Sequence, residues 1–185
     1  MRTHVALLRG VNVGGTGKLP MAELRAALTA HGFDDVATYI QSGNVVLGSR
    51  ETTATIAAAV ETILTAIFGL SRPVVVLDRD EYAELIANNP FPQVTEPKQL
   101  HAIVRADPVS PDDRTAVRRA AGAAREKGSP DEAAVVGRVV YLHTPDGIGR
   151  SALGARLTSR SSAPDGGGTA RNWATVLKLR DLLQS

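Results

Sequence analysis

The sequence contains no cysteine, and only 4% of its residues are aromatic. The lack of cysteine excludes disulfide bonds, thiol catalysis and thiolate metal ligands. No apolar run approaches the ~20 residues that a membrane-spanning helix needs, and the N-terminus leads directly into a strand pattern rather than a signal peptide. We therefore expect a cytoplasmic protein with no membrane partner.

The sequence also lacks a recognisable catalytic or metal-binding constellation. The four histidines show no metal-ligand spacing, so we predict no metal site. Ser42 has no nucleophile elbow around it, and turn chemistry accounts for its neighbours. No catalytic residue is predicted. Whether the protein is an enzyme, and whether it uses a cofactor, stay open at this point.

Charge is distributed unevenly along the chain. Residues 1–97 carry seven basic and ten acidic side chains, whereas residues 98–185 carry fourteen and nine. The basic residues are mostly arginine, 17 against 4 lysines, and arginine suits bidentate contact with phosphate or carboxylate. A basic second half is compatible with a nucleic-acid partner, but a general bias toward arginine explains the same composition.

The apolar periodicity of the first half predicts an α+β unit. Strands and helices follow in the order strand, helix, strand, strand, helix, strand, which is that of a ferredoxin-like βαββαβ unit. A short helix and a proline-rich break follow, and the break marks the expected domain boundary. The predicted strands are residues 4–11, 36–41, 44–48 and 73–77, and the predicted helices are residues 20–31, 51–68 and 80–88.

The second half repeats this order as a pattern, without a visible residue-level repeat. We therefore predict two tandem ferredoxin-like units with helical additions, in domains 1–90 and 98–185. The second domain ends in a helix. Its predicted strands are residues 100–105, 133–136, 139–143 and 169–172, and its predicted helices are residues 111–127, 151–158 and 173–183.

A glycine-rich loop between the first strand and the first helix is the leading candidate site. Backbone N–H groups of such a loop, with the helix dipole, favour an anion. Residues 10–18 do not form a P-loop: Asn12 stands where its first glycine belongs, and Leu19 where its hydroxyl residue belongs. We expect Arg9 and Lys18 to supply charge. The alternative is a tight turn that uses glycine for positive φ angles.

Three further segments offer polar side chains. One is the predicted hairpin tip at residues 41–44, another the Gly-Ile-Gly-Arg-Ser loop at residues 147–151, and the third the Arg-Asn-Trp segment at residues 171–173. Turn formation, helix capping and core packing are the alternatives for these segments. The predicted ligand-binding residues are Arg9, Asn12, Gly14, Gly15, Lys18, Gln41, Ser42, Asn44, Arg150, Ser151, Arg171 and Asn172.

Several motifs together resemble the bacterial domain-of-unknown-function family 1697. They are Leu-Leu-Arg-Gly-x-Asn-Val-Gly-Gly at residues 7–15, Tyr-Ile-Gln-Ser-Gly-Asn-Val at 39–45, Asn-Pro-Phe-Pro at 89–92 and Arg-Asn-Trp-x-Thr-Val-x-Lys-Leu at 171–179. The segments Pro-Met-x-x-Leu at 20–24 and Pro-Lys-x-Leu-His at 97–101 add to the resemblance. It implies a two-part α+β fold of ferredoxin-like units and no established activity.

The chain departs from the family pattern at two positions. Ala152 stands where a lysine commonly follows Gly-Arg-Ser, and Ala174 stands where an asparagine commonly follows Arg-Asn-Trp. If those family positions bind an anion, this member is expected to bind it more weakly or differently.

Three functions fit these observations. The first is binding of a small phosphorylated or carboxylated molecule near residues 10–18, with Arg150 and Arg171 joining from the second half. The second is a nucleic-acid-binding module that uses the basic half, since ferredoxin-like sheets serve as RNA platforms. The third is a non-enzymatic protein-interaction or assembly domain. The oligomeric state does not follow from the sequence.

Overall fold

A computed structural model describes residues 1–12, 18–159 and 168–185 of the chain. By its contacts the chain divides into two compact units, which we call unit 1 (Met1–Glu84 with Leu177–Ser185) and unit 2 (Leu85–Val176). Each unit contains one four-stranded antiparallel sheet with helices, so the predicted α+β class is confirmed.

Among its described residues, unit 1 contains four strands, two complete helices, the first part of a third helix and the last part of the C-terminal helix. The sheet order is β2-β3-β1-β4, so the first strand is central and pairs with both β3 and β4. The elements are β1 (His4–Leu8), α1 (Met21–His31), β2 (Asp34–Tyr39), β3 (Asn44–Gly48), α2 (Thr53–Phe68), β4 (Val74–Asp78) and α3 (Arg79–Ala87).

Alternating residues of the central strand build the core of unit 1. Ala6 and Leu8 face the helices and pack with Leu24 of α1 and Ile56 of α2, all fully buried. Both helices end at a glycine with a left-handed backbone, which satisfies carbonyl groups of the last turn. The positions of α1 and α2 on the sheet therefore follow from apolar periodicity and glycine stops.

Unit 2 has the same arrangement of strands. Its sheet order is β6-β7-β5-β8, with the first strand of the unit again central. The α-helices and strands are β5 (Leu100–Val104), α4 (Pro111–Glu126), β6 (Glu132–Val136), β7 (Val139–His143), α5 (Ala152–Thr158), β8 (Thr169–Asn172) and α6 (Trp173–Gln184). Only the first turn of α6 belongs to unit 2, because its residues from Leu177 onward belong to unit 1. Short 3₁₀ helices lie at Pro97–Gln99 and Ile148–Arg150.

The core of unit 2 lies between its sheet and α4. Ile103 and Val140 of the sheet pack with Val117 of α4. Ser110 caps α4 by accepting a hydrogen bond from the Asp113 N–H at 3.1 Å, as expected for a serine before Pro-Asp-Asp. Helix α4 is rich in arginine, and it packs against the sheet through its apolar face.

Some predicted element bounds were wrong. The first strand ends at Leu8 rather than residue 11, because Gly10 and Asn12 have positive φ angles of 62° and 54° that end extended pairing. The second strand begins at Asp34, where an irregular register accommodates the positive φ of Asp35. Residues 161–168 are polar and rich in glycine, which predicts a loop, and all of them except Gly168 lie outside the described residues.

Candidate functional site

The loop that follows β1 leaves the sheet through left-handed backbone conformations. Gly10 adopts a φ of 62° without steric cost, and Asn12 a φ of 54°, which asparagine tolerates better than most residues. Gly14 and Gly15, two of the predicted ligand-binding residues, lie outside the described residues. The described chain resumes at Lys18, whose side chain is exposed.

The side-chain amide of Asn12 links the two ends of this loop. Its Oδ1 accepts a hydrogen bond from the Leu19 N–H at 2.7 Å, and its Nδ2 donates to the Leu19 carbonyl at 3.0 Å. The same Nδ2 donates to the Gln41 carbonyl at 2.7 Å. Both N–H groups of the amide are therefore used inside the protein. Asn12 acts as a positioning residue that holds the loop against the β2–β3 turn.

The β2–β3 turn packs closely on the end of β1. Gly43 has a φ of 75°, and a Cβ atom there would lie 2.5 Å from Cγ2 of Val11 and 2.7 Å from Cβ of Leu8. The Leu8 N–H donates to the Gly43 carbonyl at 2.8 Å. A side chain at position 43 would separate the turn from the loop, so this contact requires glycine.

Polar side chains organise the turn itself. Asn44 is fully buried, and its Nδ2 donates to the Tyr39 carbonyl at 3.1 Å and to Oγ of Ser42 at 3.0 Å. Between them, Ile40 has a φ of 49°, which is unfavourable for a β-branched residue. The predicted residues Ser42 and Asn44 thus contribute to the shape of the turn.

Helix α1 begins without a side-chain cap. Pro20 occupies the N-cap position, and its carbonyl accepts the Leu24 N–H at 3.0 Å. The N–H groups of the three preceding residues, 21–23, have no acceptor within the helix. The positive end of the helix dipole lies at the same place, so it adds positive potential beside these N–H groups. Glu23 is the acidic residue of the first turn, and its side chain is exposed.

Unit 1 thus brings several predicted residues together. Hydrogen bonds join Asn12 to the Gln41 backbone, and Asn44 to Ser42, at one end of the sheet. Arg9, which is half-buried, follows β1 at the same end, and its N–H donates to the Pro73 carbonyl at 3.1 Å. The other four predicted residues, Arg150, Ser151, Arg171 and Asn172, belong to unit 2.

Ser151 is a buried helix cap. Its Oγ accepts the Gly154 N–H at 2.7 Å and donates to Oδ2 of Asp131 at 2.7 Å, and Asp131 is also buried. This contact uses both the donor and an acceptor site of the hydroxyl, so it fixes the start of α5. Sequence reasoning missed Asp131, because a carboxylate beside Ser-Pro resembles an ordinary turn residue. Arg150, one residue earlier, is exposed.

Arg171 is buried near the end of β8. Its guanidinium donates to Oγ1 of Thr169 at 2.7 Å and to the Ala170 carbonyl at 2.8 Å. Asn172 is the last residue of the strand, and its Oδ1 accepts the Thr175 N–H at 2.8 Å. Trp173 follows, buried, with its ring centroid 6.3 Å from that of Tyr141.

The sheet registers also place two buried histidines that are not among the predicted ligand-binding residues. His101 lies opposite both Leu142 and Asn172. In unit 1, His4 lies opposite Leu47 and Asp78. The signal that could have found them is a polar residue at the start of an otherwise apolar strand.

The two histidines differ in their electrostatic surroundings. Burial lowers the pKa of His101 below its usual value of 6.5. Burial also lowers the pKa of His4, but the carboxylates of Asp78 and Glu81 oppose that shift. At pH 7 the neutral form of each imidazole therefore predominates. Burial raises the pKa of Tyr141 to about 12, and its hydroxyl donates to the Leu85 carbonyl at 2.7 Å.

A cavity of about 640 Å³ lies at the other end of α1 from the glycine-rich loop. It is lined by the C-terminal end of α1, the start of β2 and the start of α2, including His31, Arg50 and Thr55. None of the ten predicted ligand-binding residues that lie in the described ranges lines it. The predicted residues therefore gather at the hydrogen-bonded loops and not at this cavity.

Two negative findings hold for the described parts of the chain. Residues 1–12, 18–159 and 168–185 contain no group of three or more histidine, aspartate and glutamate side chains placed to hold a metal ion. Within the same ranges, every helix is too short or too polar to cross a bilayer.

Two antiparallel sheets of identical strand order, each with its own helices, define the class of fold. The family described as a protein of unknown function, DUF1697, matches residues 1–141, and the chain belongs to this family. The solved structure of the conserved bacterial protein SP0830 from Streptococcus pneumoniae is similar, with 22% sequence identity, a TM-score of 0.73 and 98% of each chain covered. This likeness shows the fold. No curated protein matches the sequence.

Proposed function

We propose that unit 1 binds a small molecule through a phosphate or carboxylate group at the loop between β1 and α1. The observation that carries the proposal is the uncapped start of α1, where residues 21–23 direct N–H groups away from the helix beside exposed Lys18. Helix starts of this kind attract anions through their N–H groups and dipole.

The bonds of Asn12 support this proposal because they fix the two ends of the loop. They hold Leu19, the residue just before Pro20, against the β2–β3 turn. Groups that are held in place before a ligand arrives lose less conformational entropy on binding. In this proposal Lys18 and Arg9 supply positive charge, and the backbone N–H groups of the loop orient the anion. Asn12 and Asn44 act as positioning residues.

Glu23 limits the charge that the site accepts. Its carboxylate lies in the first turn of α1 and partly offsets the dipole. We therefore expect a ligand with one or two negative charges rather than a polyphosphate. No chemical step follows from these groups, and the proposal is one of binding.

The strand order also supports a finer description of the fold. We infer that each unit is ferredoxin-like, since four antiparallel strands in the order β2-β3-β1-β4 with two crossing helices fit that topology. The domain limits at residues 1–90 and 98–185 stay a prediction, and contacts group Leu177–Ser185 with unit 1. A cytoplasmic location is likewise inferred from the sequence.

A thermal-shift screen tests the binding proposal. Nucleotides, sugar phosphates and organic acids are compared at two salt concentrations, and a ligand held at about 100 times its Kd raises stability by about 2.7 kcal/mol. Lys18→Ala is expected to weaken that ligand's binding by about fivefold, because it removes an exposed charge at a helix start. Lys98→Ala, which removes another lysine, far along the chain in unit 2, is the matched control.

Two outcomes overturn the proposal. One is that no compound of the screen raises the Tm. The other is that Lys18→Ala and Lys98→Ala give the same ligand-dependent gain as the unmodified protein.

A further inference from the structure

The two units contain equivalent positions at the end of their fourth strands. In each unit, a histidine near the start of the central strand lies between a leucine of one neighbouring strand and a polar residue of the fourth strand. This polar residue also caps the helix that follows the fourth strand. The equivalent rows are His4, Leu47 and Asp78 in unit 1, and His101, Leu142 and Asn172 in unit 2.

In unit 1 the protein's own carboxylates fill the start of α3. Oδ1 of Asp78 accepts the Glu81 N–H at 2.8 Å, and Oε2 of Glu81 accepts the Asp78 N–H at 3.0 Å. Asp80 adds another carboxylate to the same turn. Negative charge at this position is stabilised by the helix dipole. Nδ1 of His4 also has a partner, Oγ1 of Thr3 at 2.8 Å.

In unit 2 the same positions are uncharged. Asn172 replaces the aspartate and caps Thr175, which replaces the glutamate. The first turn of α6 contains no acidic residue. The N–H groups of Trp173 and Ala174 have no acceptor within the helix. The positive end of α6 is therefore not offset by carboxylates of its own first turn.

The buried imidazole of His101 points to a ligand at this place. Its side chain is only 7% exposed, and within the described parts of the chain no partner lies within hydrogen-bonding distance of Nδ1. A buried polar atom without a hydrogen-bond partner destabilises the folded protein, and a ligand that supplies the partner removes that cost. His101 faces the same side of the sheet as Asn172, directly across the β5–β8 ladder.

We propose that unit 2 binds a small oxyanion, the carboxylate or phosphate group of a ligand, between His101 and the first turn of α6. The neutral imidazole donates one hydrogen bond, and the N–H groups of residues 173 and 174 supply others. The carboxylates of Asp78 and Glu81 occupy the equivalent position in unit 1, which shows the chemistry that this position accepts.

The single tryptophan of the chain allows a local test. Trp173 is the first residue of α6, so its fluorescence reports on this helix start. The unmodified protein is titrated with sodium phosphate and, separately, with sodium acetate, at constant ionic strength. We expect a saturable fluorescence change, and the anion with the lower half-saturation identifies which oxyanion is preferred.

Asn172→Asp introduces the carboxylate of unit 1 and is expected to weaken binding about tenfold. Ala174→Glu, at an exposed position of the same turn, gives a second variant in case the first fails to fold. Asn88→Asp makes the same charge change at another exposed position of unit 2 and should leave the titration unchanged. Lys18→Ala should also leave it unchanged, which separates this site from that of unit 1.

The proposal is overturned by an unsaturable response to both anions. It is also overturned if folded Asn172→Asp or Ala174→Glu protein gives the same half-saturation as the Asn88→Asp control.

Discussion

In unit 1 a buried histidine lies opposite an aspartate, whereas in unit 2 the equivalent histidine lies opposite an asparagine. The strand order is the same in both units, and in both the residue that ends the fourth strand caps the following helix. This difference of one charged group decides whether the start of the following helix has a carboxylate of its own beside it. Unit 1 supplies the negative charge from its own first turn, and unit 2 does not.

The hairpin turns differ in a second way. Gly43 of the β2–β3 turn is enclosed by Leu8 and Val11. At Gly137 of the β6–β7 turn, with a φ of 56°, no atom of the described residues lies within 4 Å of the position that a Cβ atom would take. Unit 1 therefore uses its turn to support the loop after β1. In unit 2 the corresponding turn serves chain reversal, and the candidate residues lie at helix starts instead.

We expect the largest effect on stability when the glycine of each hairpin turn is replaced by alanine. Gly43→Ala combines an unfavourable left-handed backbone with a steric overlap, and we expect a loss of about 3 kcal/mol in the free energy of unfolding. Gly137→Ala meets only the backbone cost, about 1 kcal/mol. Urea unfolding followed by circular dichroism measures both values. Equal losses for the two variants would show that the Gly43 contact does not support the loop.

A smaller effect concerns the pH dependence of stability. Burial lowers the pKa of both His4 and His101 below 6.5 in the folded state, so the unfolded chain binds more protons below that pH. The contribution of each histidine to stability is therefore complete above about pH 7.5 and decreases as the pH falls through 6.5. Unfolding midpoints measured from pH 8 to pH 5 should show this decrease.

Exchanging the aspartate and the asparagine that lie opposite the two histidines tests the same pKa assignment. Asp78→Asn removes a carboxylate that opposes the shift, so the pKa of His4 should fall further. Asn172→Asp should raise the pKa of His101 and reduce the loss of stability in acid. NMR titration of the imidazole signals measures both values. A His101 that titrates at or above 6.5 in the unmodified protein would contradict the assigned burial.

Much of the fold could be predicted from the sequence, because periodicity and punctuation are local signals. Gly32 and Gly69 end α1 and α2 as expected, and Ser110 before Pro111 marks the start of α4. The bounds that failed depend on non-local contacts. The chain leaves β1 early because Asn12 reaches Leu19 and Gln41, seven and 29 positions away.

The candidate site was predictable only in part, for the same physical reason. The sequence indicates that a glycine-rich loop precedes α1, but not that the Asn12 amide is used within the protein. It places Asn172 before a helix, but sheet register alone sets it opposite His101. The equivalence of His4 and His101 is a property of pairing, and no residue-level repeat in the sequence reveals it.

The difference between the helix starts is tested most directly by one phosphate titration followed by amide chemical shifts in ¹H–¹⁵N NMR spectra. We expect saturable shifts at Trp173 and Ala174 of α6 and at residues 21–23 of α1. We expect none at Asp80 and Glu81 of α3, whose turn holds its own carboxylates. Equal shifts at all three helix starts, or saturation at α3 alone, would contradict the assigned difference.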